Sequence, residues 1–338
     1  MTKQEKIDAY NPSGIGMDNG HIYGLPFEFE ESDIIILPVP WEVTTSFGAG
    51  CSMGPKAILE ASPQLDLFHF DRPEAWKQGI YFLELSSELQ QLNKKYKIKA
   101  QEIILLQEKG RSIASLAKEI EEINQACDEM RKWVLEQSKV LLHRGKKLIL
   151  LGGDHSTPLG YIQALAQQYS SFGILQIDAH ADLRNSYEGF EFSHASIMYN
   201  TLKLEQVSSL VQVGIRDICE EELALINKDK RITCFFDHEL KRENYKGITW
   251  SEQVEKIVAS LPEYIYLSFD IDGLDPKLCP NTGTPVPGGF EFQQAIELIK
   301  AVAEGGKKLI GCDLNEVGND AWDANVGARV LYQLCCYM

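Results

Sequence analysis

The chain has 338 residues, 44% of them apolar and 24% charged, a composition that supports a sizeable core and excludes wholesale disorder. With 33 Lys and Arg against 49 Asp and Glu, the net charge is −16. A surface of that sign repels phosphate backbones and anionic lipid, so neither nucleic acid nor a membrane is an expected partner, whereas a small cationic substrate fits.

Residues 1–32 read as an irregular N-terminal arm. Asn11, Pro12, Gly14, Gly16, Asn19, Gly20 and Gly24 break any periodicity there, and the acidic run from Glu28 to Asp33 closes it. Met1 to Tyr10 lacks the apolar core of a signal peptide, and no apolar run approaches the roughly 18 residues of a membrane span. Beyond the arm, apolar runs predict strands at Asp33–Pro38, Ile80–Leu85, Lys147–Leu151, Phe172–Ile177, Leu210–Gly214, Ile232–Phe236, Ile265–Phe269 and Lys308–Cys312. Most are continuous rather than alternating, the pattern of strands covered on both faces. Gln90–Gly110 reads as a solvated helical insertion. Ser112–His143 predicts a long helix with one apolar stripe through Leu116, Ile120, Ile123, Cys127, Met130 and Val134. Alternating strands and helices without a Pro-, Gly- or Ser-rich linker predict one α/β domain over 33–338, with a mainly parallel sheet and helices on both faces. The eight cysteines are scattered, form no CxxC pair, and read as reduced thiols of a cytoplasmic protein.

Ligands of parallel sheets bind beyond the carboxyl ends of the strands. Lys147–Leu151 is followed by Gly152-Gly153-Asp154-His155-Ser156, and Phe172–Ile177 by Asp178-Ala179-His180-Ala181-Asp182. Ile265–Phe269 is followed by Asp270-Ile271-Asp272-Gly273. Spacing of two in an extended chain puts side chains on one side, so Asp178, His180 and Asp182 are expected to converge, as are Asp270 and Asp272. An aspartate at a strand end is also an ordinary cap or turn former. Two such motifs in one sheet are harder to explain that way, because crowded carboxylates repel one another unless cations lie between them. The donors are Asp oxygen and His nitrogen with no thiolate, which favours Mn²⁺ and leaves zinc, iron or nickel open. Six ligands suit two ions about 3.5–4 Å apart that share carboxylates and acidify a water for hydrolysis at carbon or phosphorus.

These motifs, in this order, resemble the ureohydrolase family of arginases, agmatinases and their relatives. The resemblance runs from about Ile34 to the C-terminus and includes Thr44-Thr45-Ser46, Gly54-Pro55-Lys56-Ala57-Ile58 and Gly283-Thr284-Pro285. It implies a three-layer α/β/α fold around an eight-stranded, mostly parallel sheet, two Mn²⁺ per subunit, and a trimeric or hexameric homo-oligomer. One ion would be held by His155, Asp178, Asp182 and Asp270, the other by His180, Asp178, Asp270 and Asp272, with Asp178 and Asp270 bridging. His194, in Phe192-Ser193-His194-Ala195-Ser196, matches the family's proton-shuttle histidine, a role that suits imidazole. Glu316 matches the carboxylate that grips the substrate guanidinium through paired hydrogen bonds.

Within the family, the loop Asp182-Leu183-Arg184-Asn185-Ser186-Tyr187-Glu188-Gly189 and the Ser193-His194-Ala195 that follows are similar to those of bacterial and archaeal agmatinases. Arginases carry Asn where Arg184 stands, so agmatine, yielding putrescine and urea, is the expected substrate. Two departures keep other substrates open. Glu316 runs on into Val317-Gly318-Asn319 instead of toward a proline. Arg184, if turned inward, would oppose a cationic tail and favour a guanidino acid such as guanidinobutyrate. Arginine, formiminoglutamate and a non-catalytic family member stand as further alternatives.

Overall fold

A computed structural model describes residues 1–338. Eight runs of mostly aliphatic residues form strands: β1 Ile34–Val39, β2 Ile80–Phe82, β3 Lys147–Gly152, β4 Phe172–Ile177, β5 Val207–Val213, β6 Ile232–Phe235, β7 Tyr264–Asp270 and β8 Lys308–Asn315. They pair in the order β2-β1-β3-β8-β7-β4-β5-β6. Every neighbouring pair is parallel, so the sheet expected to be mostly parallel is wholly so. The helices are α1 Lys3–Ala9, α2 Gly54–Ala61, α3 Ser87–Glu108, α4 Ala117–His143, α5 Leu159–Ala166, α6 Ile197–Thr201, α7 Glu220–Lys228, α8 Asp237–Tyr245, α9 Trp250–Ala259, α10 Phe292–Glu304 and α11 Ala321–Tyr337. None is long and apolar enough to cross a membrane.

Alternate strand residues feed two separate cores. Ile34, Ile36, Ile149, Leu151, Leu175 and Ile177 pack with Ile257 of α9, Ile299 of α10 and Leu331 of α11. Ile35, Leu37, Leu148, Leu150 and Ile174 face the opposite way, toward Ile104 of α3, Val134 of α4 and Ile162 of α5. The expected three-layer α/β/α architecture follows, and burial on both faces is why the strand runs are continuously apolar. The run expected to stop at Cys312 continues to Asn315, because Asp313 and Asn315 are fully buried polar residues inside a strand.

Two expectations need correction. The arm at 1–32 is not irregular throughout. Thr2 caps α1 in a reciprocal box with Glu5, and Ile22, Tyr23, Leu25 and Phe27 are buried in the first core. Tyr23 donates its hydroxyl to the Ala328 carbonyl at 3.0 Å. Apart from a single 3₁₀ turn at Ile22–Gly24, the buried apolar residues of the arm pack without a regular element, so no periodicity announced them. The stretch near 90–110 is likewise not a solvated insertion. It belongs to α3, which buries Leu89, Ala100, Ile103 and Ile104 in the second core, beside α4.

The strand order has one consequence for chemistry. β3, β8, β7 and β4 are consecutive in the sheet, so the loops beyond their carboxyl ends meet at one place.

Candidate active site

The chain leaving β3 passes close to β1. The amide of Gly153 bonds the Val39 carbonyl at 2.9 Å, and a Cβ at Gly153 would stand 1.9 Å from the Trp41 carbonyl oxygen. Only glycine allows that approach, and it delivers His155 to the site. The His155 imidazole is buried, with Nε2 against the Ser268 hydroxyl at 2.8 Å and Ser268 donating to Asp313 at 3.1 Å. Nδ1 therefore faces inward. It lies 3.0 Å from Asp178 Oδ2, 3.1 Å from Asp182 Oδ2 and 3.2 Å from Asp270 Oδ2. None of these contacts is aligned as a hydrogen bond.

A second group forms around His180. Its Nδ1 is 3.0 Å from Asp272 Oδ2 and 3.7 Å from Asp178 Oδ1. The two oxygens of Asp178 thus face two different histidines. Asp270 belongs to the first group, while its Oδ1 accepts the Asp272 amide at 2.9 Å. Asp178, His180 and Asp182 do converge, but strand alternation does not cause it. β4 ends at Ile177, and Asp182 turns back with φ of +53°.

The electrostatics agree with a site built for cations. Burial and the charges of Asp272 and Asp178 push the Asp270 carboxyl well above its usual range. Burial and Asp178 raise Asp182 to about 7. Burial opposes charge on both imidazoles, yet the surrounding carboxylates win, lifting His180 to about 12 and His155 well above its ordinary value. A cluster of four carboxylates that draws protons onto imidazoles lacks positive charge, and the inward, unpartnered Nδ1 of His155 is the lone pair a metal takes. His155, Asp178 and Asp270 form one such donor group, and Asp178, His180 and Asp272 the other. The residues fit a pair of metal ions.

Glu316 stands beside them. It follows β8 with φ of +63°, is 4% exposed, and accepts the His155 amide through Oε1 at 3.0 Å. Its Oε2 is buried without a partner. A Cβ at Gly283 would lie 2.7 Å from that oxygen, so glycine leaves it room. Glu316, Gly283, Thr284, Thr45 and His194 line one recess, which shares His194, Ser46, Phe47 and Thr284 with a cavity of about 310 Å³. Burial and the positive His180 and His155 lower the His194 pKa to about 4, so its imidazole is neutral near pH 7.

Arg184 lines the larger cavity without filling it. Its guanidinium lies 4.7 Å from the centre of the Tyr187 ring, and Nε is 3.9 Å from Glu222. Sequence reasoning missed Glu222 and Asp217, which also line this cavity. Glu222 is buried, accepting the Leu183 amide at 3.0 Å and the Cys219 amide at 3.1 Å. Both follow β5, a strand end that could have been read as the other three were.

The profile of the arginase family matches residues 32–337. The chain belongs to the arginase family. This ureohydrolase is 32% identical over 304 residues to the N(1)-aminopropylagmatine ureohydrolase of Thermus thermophilus, with 90% of this chain and 89% of that one covered. It is 28% identical over 320 residues to the agmatinase of Sodalis glossinidius, covering 93% and 90% of the two chains. The crystal structure of agmatine ureohydrolase of Thermoplasma volcanium superposes with a TM-score of 0.71 at 20% identity, over 99% of this chain and 97% of that one, a likeness of fold. The family is one of binuclear metal hydrolases, and the two His/Asp groups correspond to that chemistry.

Proposed function

We propose that this ureohydrolase cleaves a guanidino compound with a cationic tail, with agmatine as the leading substrate and its aminopropyl-extended form as the nearest variant. The observation that carries the reading is the free, buried Oε2 of Glu316 in a recess shared with His194. Bound by His155, Asp178, Asp182 and Asp270 on one side and by His180, Asp178, Asp270 and Asp272 on the other, a manganese pair would supply an activated water near neutral pH. The oxygen-rich donor set supports manganese.

Through its free Oε2, Glu316 accepts an N–H bond from the planar guanidinium and fixes its carbon against the metal site. Its Oε1 stays anchored to the His155 amide, so the grip and the metal group move as one. His194, neutral near pH 7, accepts a proton and returns it to the departing amine nitrogen. Asp217 and Glu222 offer two carboxylates to a tail ammonium against the single cation of Arg184, which is drawn toward Tyr187 and Glu222. Names of relatives that act on agmatine and its aminopropyl derivative agree with this charge pattern.

A second reading rests on Arg184 lining the cavity, where it could meet a tail carboxylate. Urea release by the manganese-loaded protein from agmatine, aminopropylagmatine, arginine and guanidinobutyrate, with formamide release from formiminoglutamate, separates the two. Preference for the amines is expected. Preference for guanidinobutyrate would move Arg184 into the tail's path, and silence on every compound would reject the ureohydrolase mechanism for this site.

A further inference from the structure

Two of the loops that line the cavity are tied to the α3–α4 pair. On α3, the Asn93 side-chain oxygen accepts the Glu42 amide at 2.7 Å, and the Lys97 ammonium pairs with the Glu42 carboxylate. The other carboxylate oxygen of Glu42 accepts the amides of Gly50 at 2.7 Å and Ser52 at 3.2 Å. Glu42 therefore closes a loop whose middle residues, Ser46 and Phe47, line the cavity. The Glu42 side chain is 6% exposed and that of Lys97 15%. Gln107, near the end of α3, donates to the Glu188 carbonyl at 2.9 Å. Asn124 of α4 holds the Gly189 carbonyl at 3.3 Å and the Glu191 amide at 2.9 Å. That second loop carries Arg184 and Tyr187, again on the cavity wall.

Phe47 is 84% exposed, so little packing of its own fixes where it stands. Its position is set by the loop backbone, and the loop by Glu42. A loop positioned by a rigid helix is how a scaffold fixes a binding surface. We infer that α3 governs recognition of the substrate tail: Lys97 and Asn93 are positioning residues that, through Glu42, place Ser46 and Phe47 at the mouth of the cavity. This rests on the reading of the cavity as the guanidino-compound site, and Lys97 itself touches neither metal ligand nor cavity.

Lys97→Met, Lys97→Arg and the double variant Lys97→Met with Glu42→Gln test it. Kinetics on agmatine are paired with hydrogen exchange over residues 42–53, which needs no turnover. In Lys97→Met, exchange over 42–53 should accelerate while that of 264–275 stays unchanged, and KM should rise about tenfold with kcat within about twofold. Lys97→Arg should restore both. The double variant leaves no unpaired charge, so loss of the brace is separated from misfolding. Unchanged exchange in Lys97→Met overturns the inference even if no substrate is found. Where the wild type turns over agmatine, an unchanged KM in Lys97→Met overturns it as well, as does a fall in kcat together with lost metal.

Discussion

The backbone amide of His155 donates to Oε1 of Glu316 at 3.0 Å, joining a candidate metal ligand after β3 to the carboxylate after β8. The two residues are 161 positions apart, yet the adjacency of β3 and β8 makes them neighbours. One oxygen of Glu316 is thereby spent on position, and the other is left for a ligand.

Glu316→Gln tests that division. The amide nitrogen introduces a donor opposite the donors of a guanidinium, so turnover should fall by about 10²-fold or more at unchanged metal content. Urea release and metal analysis on the same sample check it. Retained turnover would remove Glu316 from substrate binding.

Asp270 contacts His155 and supports Asp272, so Asp270→Asn should lose manganese and turnover together. Atomic emission on the purified variant gives the metal count. A metal-loaded, active variant would contradict its assignment as a ligand.

His194→Phe should lower turnover by about 10²-fold or more while two metals remain bound, because general acid–base help is removed and no proposed ligand is touched. Unchanged turnover would take His194 out of the proton path.

Glu188 provides a test of pH dependence away from the metal ligands. Burial and the nearby Glu108 raise its carboxyl from 4.5 to about 7. The folded chain therefore holds a proton that the unfolded chain releases between those values, so this contribution is full below pH 4.5 and fades as pH rises through 7. Glu188→Gln should gain about 1 kcal/mol over wild type at pH 8 relative to pH 5, a figure discounted for partial solvent exposure. Thermal unfolding at the two pH values measures it, and an equal change at both would reject the raised pKa.

Phe27 is fully buried although it lies in the arm. Phe27→Ala should cost about 3–5 kcal/mol, as removal of a core aromatic does. Denaturant unfolding decides between this and a peripheral arm, whose truncation would cost little.

What the sequence displayed and what it hid divide along physical lines. The candidate metal ligands were legible because each follows an apolar run, and strands buried on both faces advertise themselves without a partner in view. Phe27 and Tyr23 were hidden because Tyr23 sits in a single 3₁₀ turn and Phe27 in irregular backbone, neither of which has a period to detect. The left-handed turn at Asp182 carries no signal in an aspartate, so convergence was expected for the wrong geometric reason. Glu222 resembled an ordinary helix-start glutamate, and it does cap α7 while also walling the cavity. Glu42 and Lys97 are 55 residues apart, and nothing local pairs them.

The most direct test of the central claim is urea release from agmatine by metal-free protein titrated with manganese. Activity should climb until two equivalents per chain are bound and then level off. Full activity with one equivalent or none, or no urea with two bound, would contradict a binuclear guanidino hydrolase at this site.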